Sequence, residues 1–178
     1  ENSNTLNELF SGYNPFTISL NVYTETDSPI GQLFGKGNTP PDGNPRTMMM
    51  YFQPQLTFIL YSNNSDYIAV DGDNIITPYE WTNIVASYDG NTLKLYKNGY
   101  LFADSGYSHG GYIGMQYNNE PIHMGARLDD SGTPHHAFNG SIDDLMIFSM
   151  ALSENEVSDL YLNESIINSS DLVVLSGF

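Results

Sequence analysis

An all-β antiparallel fold with one short helix near the C-terminus is the fold class this sequence predicts, and three observations carry it. Apolar and polar residues alternate with period two through most of the chain. Two dipeptides that tolerate positive φ, Asp89-Gly90 and Asn98-Gly99, sit between alternating runs as hairpin turns do. Helical periodicity is confined to one segment after Ser153. At 178 residues the chain is long enough for one well-buried core and short for two, so a single domain over 1–178 is expected.

Taken in order, Phe16, Ile18, Leu20 and Val22 point one way while Thr17, Ser19, Asn21 and Tyr23 point the other, which describes a half-buried strand. Met48-Met49-Met50 reads as strand whose alternation buries part of it as core filler. Leu56, Phe58 and Leu60 repeat the pattern. The run Trp81 to Tyr88 carries apolar side chains on both faces, as a central strand does, and with its two turns predicts a three-stranded meander over Trp81 to Asp104. Ser153 followed three residues later by Glu156 has the spacing of a capping box, with Val157, Leu160 and Tyr161 on one face of the helix it starts. That helix, Ser153 to Leu162, is expected to plug one end of the fold. Leu172-Val173-Val174-Leu175 is too apolar for a solvated tail, so Asp171 to Phe178 is expected to pair beside the strand containing Asp143; donation to a neighbouring chain is the rival. The long turn-rich stretches, Gly35 to Arg46, Asp104 to Asn119 and Arg127 to His136, are where ligand chemistry is expected on a rigid β scaffold.

Charge narrows the partners. Twenty-one acidic against five basic side chains leave a formal charge of −16, which repels phosphate backbones and anionic lipid, so neither nucleic acid nor direct membrane insertion is expected. The chain has no cysteine, which excludes disulfides and thiolate metal sites. No apolar run reaches the roughly 18 residues of a membrane span, and Glu1-Asn2-Ser3-Asn4 is not a signal peptide, so a processed chain or an excerpt of a longer one is expected. Sequons at Asn63, Asn139, Asn163 and Asn168 permit glycosylation without indicating it.

Two stretches carry a family resemblance. Phe138-Asn139-Gly140-Ser141-Ile142-Asp143-Asp144-Leu145-Met146-Ile147-Phe148, followed by the Ser153 helix, is similar to the last strand and helix of laminin G-like jelly rolls. Trp81-Thr82-Asn83-Ile84-Val85-Ala86-Ser87-Tyr88-Asp89-Gly90, running on to Asn98-Gly99, resembles that family's central hairpin. With Phe16 to Val22 and Ile122 to Arg127 the resemblance spans about residues 9 to 162. It implies a two-sheet antiparallel β-sandwich, a concanavalin A-like jelly roll. The family's usual first strand and its Asp/Asn-rich calcium loop have no counterpart at the start of this chain.

The candidate chemistry follows from residues and resemblance together. Adjacent Asp143 and Asp144 on a regular strand face opposite sides, so one is expected inward or at the rim, where a carboxylate needs a metal or several donors. By resemblance Asp143 supplies an oxygen to a structural calcium, with Glu1, Asn2, Asn4 or Glu8 as stand-ins for the missing loop; its alternative role is accepting backbone hydrogen bonds. Asp129 and Asp130 form a second acidic loop that would hold another cation, against a plain solvated turn. A retaining glucanase needs two carboxylates about 5 Å apart, and Ser141 to Met146 lacks both glutamates of that motif, so no catalytic residue is assigned. His135 and His136 diverge on a strand, and with His109 and His123 read as loop or edge residues. Tyr107, Tyr112, Tyr117, Asn118 and Asn119 combine aromatic faces and amides in a flexible stretch, which suits a glycan site; the alternative is tyrosines packed on the sandwich rim. The function expected is a non-catalytic extracellular or cell-surface recognition and adhesion module, lectin-like, with a glycan or cell-surface protein as partner. A self-associating building block of a surface filament or appendage, assembled by strand or edge contacts, is the alternative, with a virion or filament surface as a further location, and a glycoside hydrolase or polysaccharide lyase is disfavoured.

Overall fold

The computed structural model describes residues 2–37, 46–63, 65–73, 76–104, 107–128, 133–163 and 171–176. Its elements run α1 (Asn2–Leu9), β1 (Phe16–Thr24), β2 (Gly31–Lys36), β3 (Met48–Phe52), β4 (Leu56–Tyr61), β5 (Tyr67–Gly72), β6 (Thr82–Tyr88), β7 (Leu93–Lys97), β8 (Tyr100–Asp104), β9 (Tyr107–His109), β10 (Ile122–Met124), β11 (Arg127–Leu128), β12 (Pro134–His135), β13 (Gly140–Phe148), α2 (Glu154–Asn163) and β14 (Leu172–Ser176). Six strands in the order β14-β13-β1-β6-β7-β8 form one sheet, and six in the order β10-β2-β3-β4-β5-β9 form the other. Every ladder is antiparallel. The two sheets face one another across a single apolar layer, the sandwich that the resemblance implies.

Alternation fills that layer as expected. Phe16, Ile18, Leu20 and Val22 of β1 are fully buried, and meet Met48, Met50, Leu56, Phe58 and Leu60 from the second sheet. Phe16 packs edge-on to Phe58 at 6.2 Å between ring centroids. The meander over β6, β7 and β8 forms with Gly90 and Gly99 at positive φ in its two turns. β14 pairs with β13 inside the same sandwich, Met146 opposite Leu175, so the C-terminal strand takes the place beside the Asp143 strand.

Three features depart from expectation. The first is α1. Its sequence, rich in asparagine, has poor helix propensity, and Leu6, Leu9 and Phe10 supply only one turn of apolar spacing. Tertiary packing overrides this: Phe10 is fully buried, edge-on to Phe16 at 5.2 Å and to Phe34 at 6.2 Å. The second is α2, whose capping box is present, with Glu156 Oε2 accepting from both Ser153 N–H and Ser153 Oγ at 2.7 Å. It lies on the outer face of the first sheet, not over an end, because Val85 and Tyr96 point outward there and cover Val157 and Leu152.

The third is a bulge in β13. Asn21 pairs with Asp143 and Ser19 with Met146, so Leu20 faces two residues, and Asp144 takes φ +51°. Ile142 and Leu145 both pack on the core, which places Asp143 and Asp144 together on the outer face. Neither carboxylate points inward, contrary to the expectation for a regular strand. Asp143 Oδ1 accepts from Asp144 N–H at 2.8 Å, and Asp144 Oδ2 accepts from Asn21 Nδ2 at 2.8 Å.

Candidate functional site

The outer face of the second sheet is built from rows that cross its strands. Met49, Ile59 and Ala69 make one row, Gln32, Tyr51, Thr57 and Asp71 a second, and Tyr61 and Tyr67 a third. Polar residues were expected on an outer face, yet here Ile59, Tyr61 and Ala69 are buried and form an apolar cluster with Met49, Tyr51 and Tyr67. Tyr61 and Tyr67 lie 5.7 Å apart between ring centroids. Gly35, opposite Met49, has no side chain, and the Gln32 amide occupies that space.

The small β11–β12 sheet borders this surface. Gln32 N–H donates to His136 C=O at 2.8 Å, and Phe138 N–H donates to Gly125 C=O at 2.7 Å, fixing the segment along β2. Gly31, at φ +113°, has no room for a Cβ against Ala137 and Phe138, so a glycine is required for this close approach. The result is a cleft of about 360 Å³ whose lining includes Gln32, Met49, Tyr51, Arg127, His136 and Ala137. Among the described residues none that lines it is Asp or Glu.

Electrostatics mark the aromatic surface beside the cleft. The Arg46 guanidinium lies 5.8 Å from the Tyr61 ring centroid, and Arg46 Nε is buried without a hydrogen-bond partner. Burial pushes the phenols of Tyr61 and Tyr51 up, with Arg46 holding Tyr61 back by hydrogen bonding and charge. Burial also pulls the Arg127 guanidinium down, and the positive charge of Arg46 adds to that effect.

The residues singled out from sequence are placed elsewhere. Tyr112 is half-buried against the core, its hydroxyl donating to Tyr88 Oη at 3.3 Å, and burial followed by Tyr88 pushes its phenol up. Asn118 is buried and accepts from the Lys36 ammonium through its carbonyl at 3.1 Å and Oδ1 at 3.0 Å. Asn119 Oδ1 accepts from Asn7 Nδ2 at 3.2 Å and from the exposed Tyr117 hydroxyl at 3.1 Å. Tyr107 joins β5 through its backbone, and its side chain, like Asp129 and Asp130, lies outside the described residues. His135 and His136 are exposed at the β12 edge, as expected, and His123 is buried, which lowers its pKa. Among the described residues no three His, Cys, Asp or Glu side chains converge as a metal site would require. Glu8 belongs to α1, which leads into the Phe16 end of β1, whereas Asp143 pairs toward the other end.

The outer face of the first sheet carries a second aromatic group. Tyr23 and Trp81 lie 5.6 Å apart, with Trp81 52% exposed, beside the polar chain Asn83, Asn21 and Asp144. Sequence reading missed Gln32, Arg46, Tyr51 and Arg127 as site residues. The available signal was the alternation in Met48 to Phe52, which puts Met49 and Tyr51 on the face away from the core.

The sequence profile of the concanavalin A-like lectin/glucanases superfamily matches residues 2–158. The chain belongs to this superfamily. Mouse pappalysin-1 is 28% identical over 140 residues, 78% of this chain, and the chain spans only 8% of that protein's length. The CBM40 of Ruminococcus gnavus IT-sialidase, solved bound to α2,3-sialyllactose, superposes with TM-score 0.67 at 16% identity over 89% of this chain and 86% of that one. Domain 4 of AbnA, an extracellular arabinanase of Geobacillus stearothermophilus solved with arabinotriose, superposes with TM-score 0.56 at 24% identity, covering 83% of this chain and 66% of that one. These likenesses establish the fold of the concanavalin A-like domain.

Proposed function

We propose that this protein is a non-catalytic, extracellular glycan-recognition module whose sugar lies in the cleft on the outer face of the second sheet. The observation that carries the reading is the cleft's composition: Tyr51 and Met49 offer apolar surface for sugar C–H faces, Gln32, His136 and Arg127 offer hydrogen bonds for hydroxyls, and among the described residues no carboxylate lines it. A glycosidase would need an acid pair there. The carbohydrate-binding domains among the structural neighbours support the same reading. Replacing exposed Ala137 at the cleft by Trp should fill it, weakening binding on a glycan array at least about tenfold with little change in melting temperature, since surface substitutions usually cost under about 0.5 kcal/mol. Full binding by Ala137→Trp would move the site, with the Tyr107 to Asn119 stretch next in line.

Calcium at Asp143 is a separable part of this proposal. The bulge gathers Asp143 and Asp144 on one face, carboxylate oxygens that suit the ion, although two of them already have donors, one being the Asn21 amide N–H. Millimolar calcium should then raise the melting temperature in the wild type and not in Asp143→Asn; identical melting in EDTA and calcium would remove the ion. The filament reading rests on a different observation. β8 is an edge strand with Tyr100 72% and Leu101 40% exposed beside Tyr161 and Leu162 of α2. Glycan silence together with concentration-dependent self-association would favour it.

A further inference from the structure

The distribution of the five cations in this chain is uneven. Lys36 donates to four oxygens, and Lys94 pairs with Glu154 at 3.3 Å. Arg46 and Arg127, like Lys97 on the other sheet, have no carboxylate partner among the described residues, although the chain carries 21 acidic side chains, and the two arginines share one region. They approach the same aromatic surface from separate segments, Arg46 from the residue pair before β3 and Arg127 from β11. Arg127 lies close enough to Arg46 for that positive charge to add to the burial that pulls the Arg127 guanidinium down, and both side chains are partly withdrawn from water. Two like charges held near one aromatic surface repel, and a guanidinium partly withdrawn from water without a carboxylate partner costs free energy. An anionic group on the ligand relieves both penalties. Among the described residues no acidic side chain lines the cleft to compete with such a group.

We propose that the cleft recognises a carboxylate-bearing glycan, with Arg127 at the cleft wall and Arg46 beside Tyr61 receiving the carboxylate and Tyr51 and Met49 receiving the ring. This rests on the glycan reading and adds the ligand's chemical class. Guanidinium is suited to the task because its planar donors match the two oxygens of a carboxylate. The strongly acidic remainder of the surface slows a charged ligand's approach, so the selectivity is expressed in retention within the cleft and not in long-range attraction.

The test uses a glycan array followed by calorimetry with matched oligosaccharide probes: sialic acid-terminated and uronic acid-terminated chains, their neutral counterparts, and sulfated counterparts. Carboxylated probes should bind about tenfold or more tightly than neutral ones, as loss of one charge-assisted hydrogen bond implies, and the preference should shrink as salt rises. Arg127→Gln should abolish the preference with an unchanged melting temperature, and Arg127→Lys should restore part of it. Arg46→Gln gives an independent check, since its side chain comes from another segment. Equal binding of neutral and carboxylated probes, unaffected by Arg127→Gln, would overturn this inference and leave the glycan reading intact. Preference for sulfated over carboxylated probes would also overturn it. Binding of no glycan at all would overturn the glycan reading itself, and this inference with it.

Discussion

Lys36 is the residue on which one end of the sandwich depends. It is 1% exposed, and its ammonium donates to Asn7 Oδ1 and Glu120 C=O at 2.7 Å and to Asn118 Oδ1 and C=O at 3.0 and 3.1 Å. One side chain thus ties α1, β2 and the 116–120 segment together, and Asn118 extends the network to Thr47 at 2.8 Å. Burial pulls the Lys36 pKa down from 10.5 to about 8, against the opposing pull of Glu120. The ammonium remains charged at neutral pH, and its oxygens would lose their donors in Lys36→Met. We expect that variant to lose about 3 kcal/mol, since each buried group left unsatisfied costs roughly 1–3 kcal/mol. Between pH 8 and 10.5 the unfolded chain holds a proton that the folded one has released, so this group's contribution to stability rises with pH across that window. Urea unfolding at about pH 7.5 and 9.5 should show the increment in the wild type and its absence in Lys36→Met; equal increments in both proteins would show that Lys36 is not its source.

At the scale of elements, β14 closes the sheet edge that β13 would otherwise present. Val173 packs on the core, and Leu172 to Val174 pair with Phe148 and Ile147. Deleting residues 171–178 should lower the melting temperature by about 5 °C or more in a protein that stays monomeric, since burying one valine is worth about 2 kcal/mol and each kcal/mol shifts a chain of this size by roughly 2–4 °C. Unchanged melting would make the strand dispensable, and a chain that unfolds no more easily but loses self-association would show donation to a neighbour. The strand was legible because four consecutive apolar residues have few other fates. α1 was not legible, because Phe10 stabilises it only through Phe16 and Phe34, residues whose positions depend on the assembled sandwich.

At the scale of the whole molecule, the sequence by itself determined β1, β3, β4, β13, β14 and the β6–β8 meander with both hairpins, the capping box at Ser153 and the inward set of β1 and β4, but not β2, β5, β10 or the short β9, β11 and β12 inside stretches that read as turn-rich. Each of these is a local rule: period two assigns a face, a glycine supplies positive φ, and a hydroxyl three residues before a carboxylate caps a helix. The tertiary structure decided where the candidate site lies. Alternation puts Met49 and Tyr51 outward, but only strand order sets them beside Ile59 and Ala69, and only the β11–β12 segment makes a cleft of that face. The bulge that turns Asp143 and Asp144 to the same side is likewise invisible to a period-two reading, which assumes a regular ladder. Arg46 and Arg127 lie far apart in sequence and come near one another because the residue pair before β3 and strand β11 converge on one sheet face. Side-chain facing is set by neighbours along the chain, whereas a cleft is set by segments that meet across it, and their pairing is fixed by the packing of the entire core.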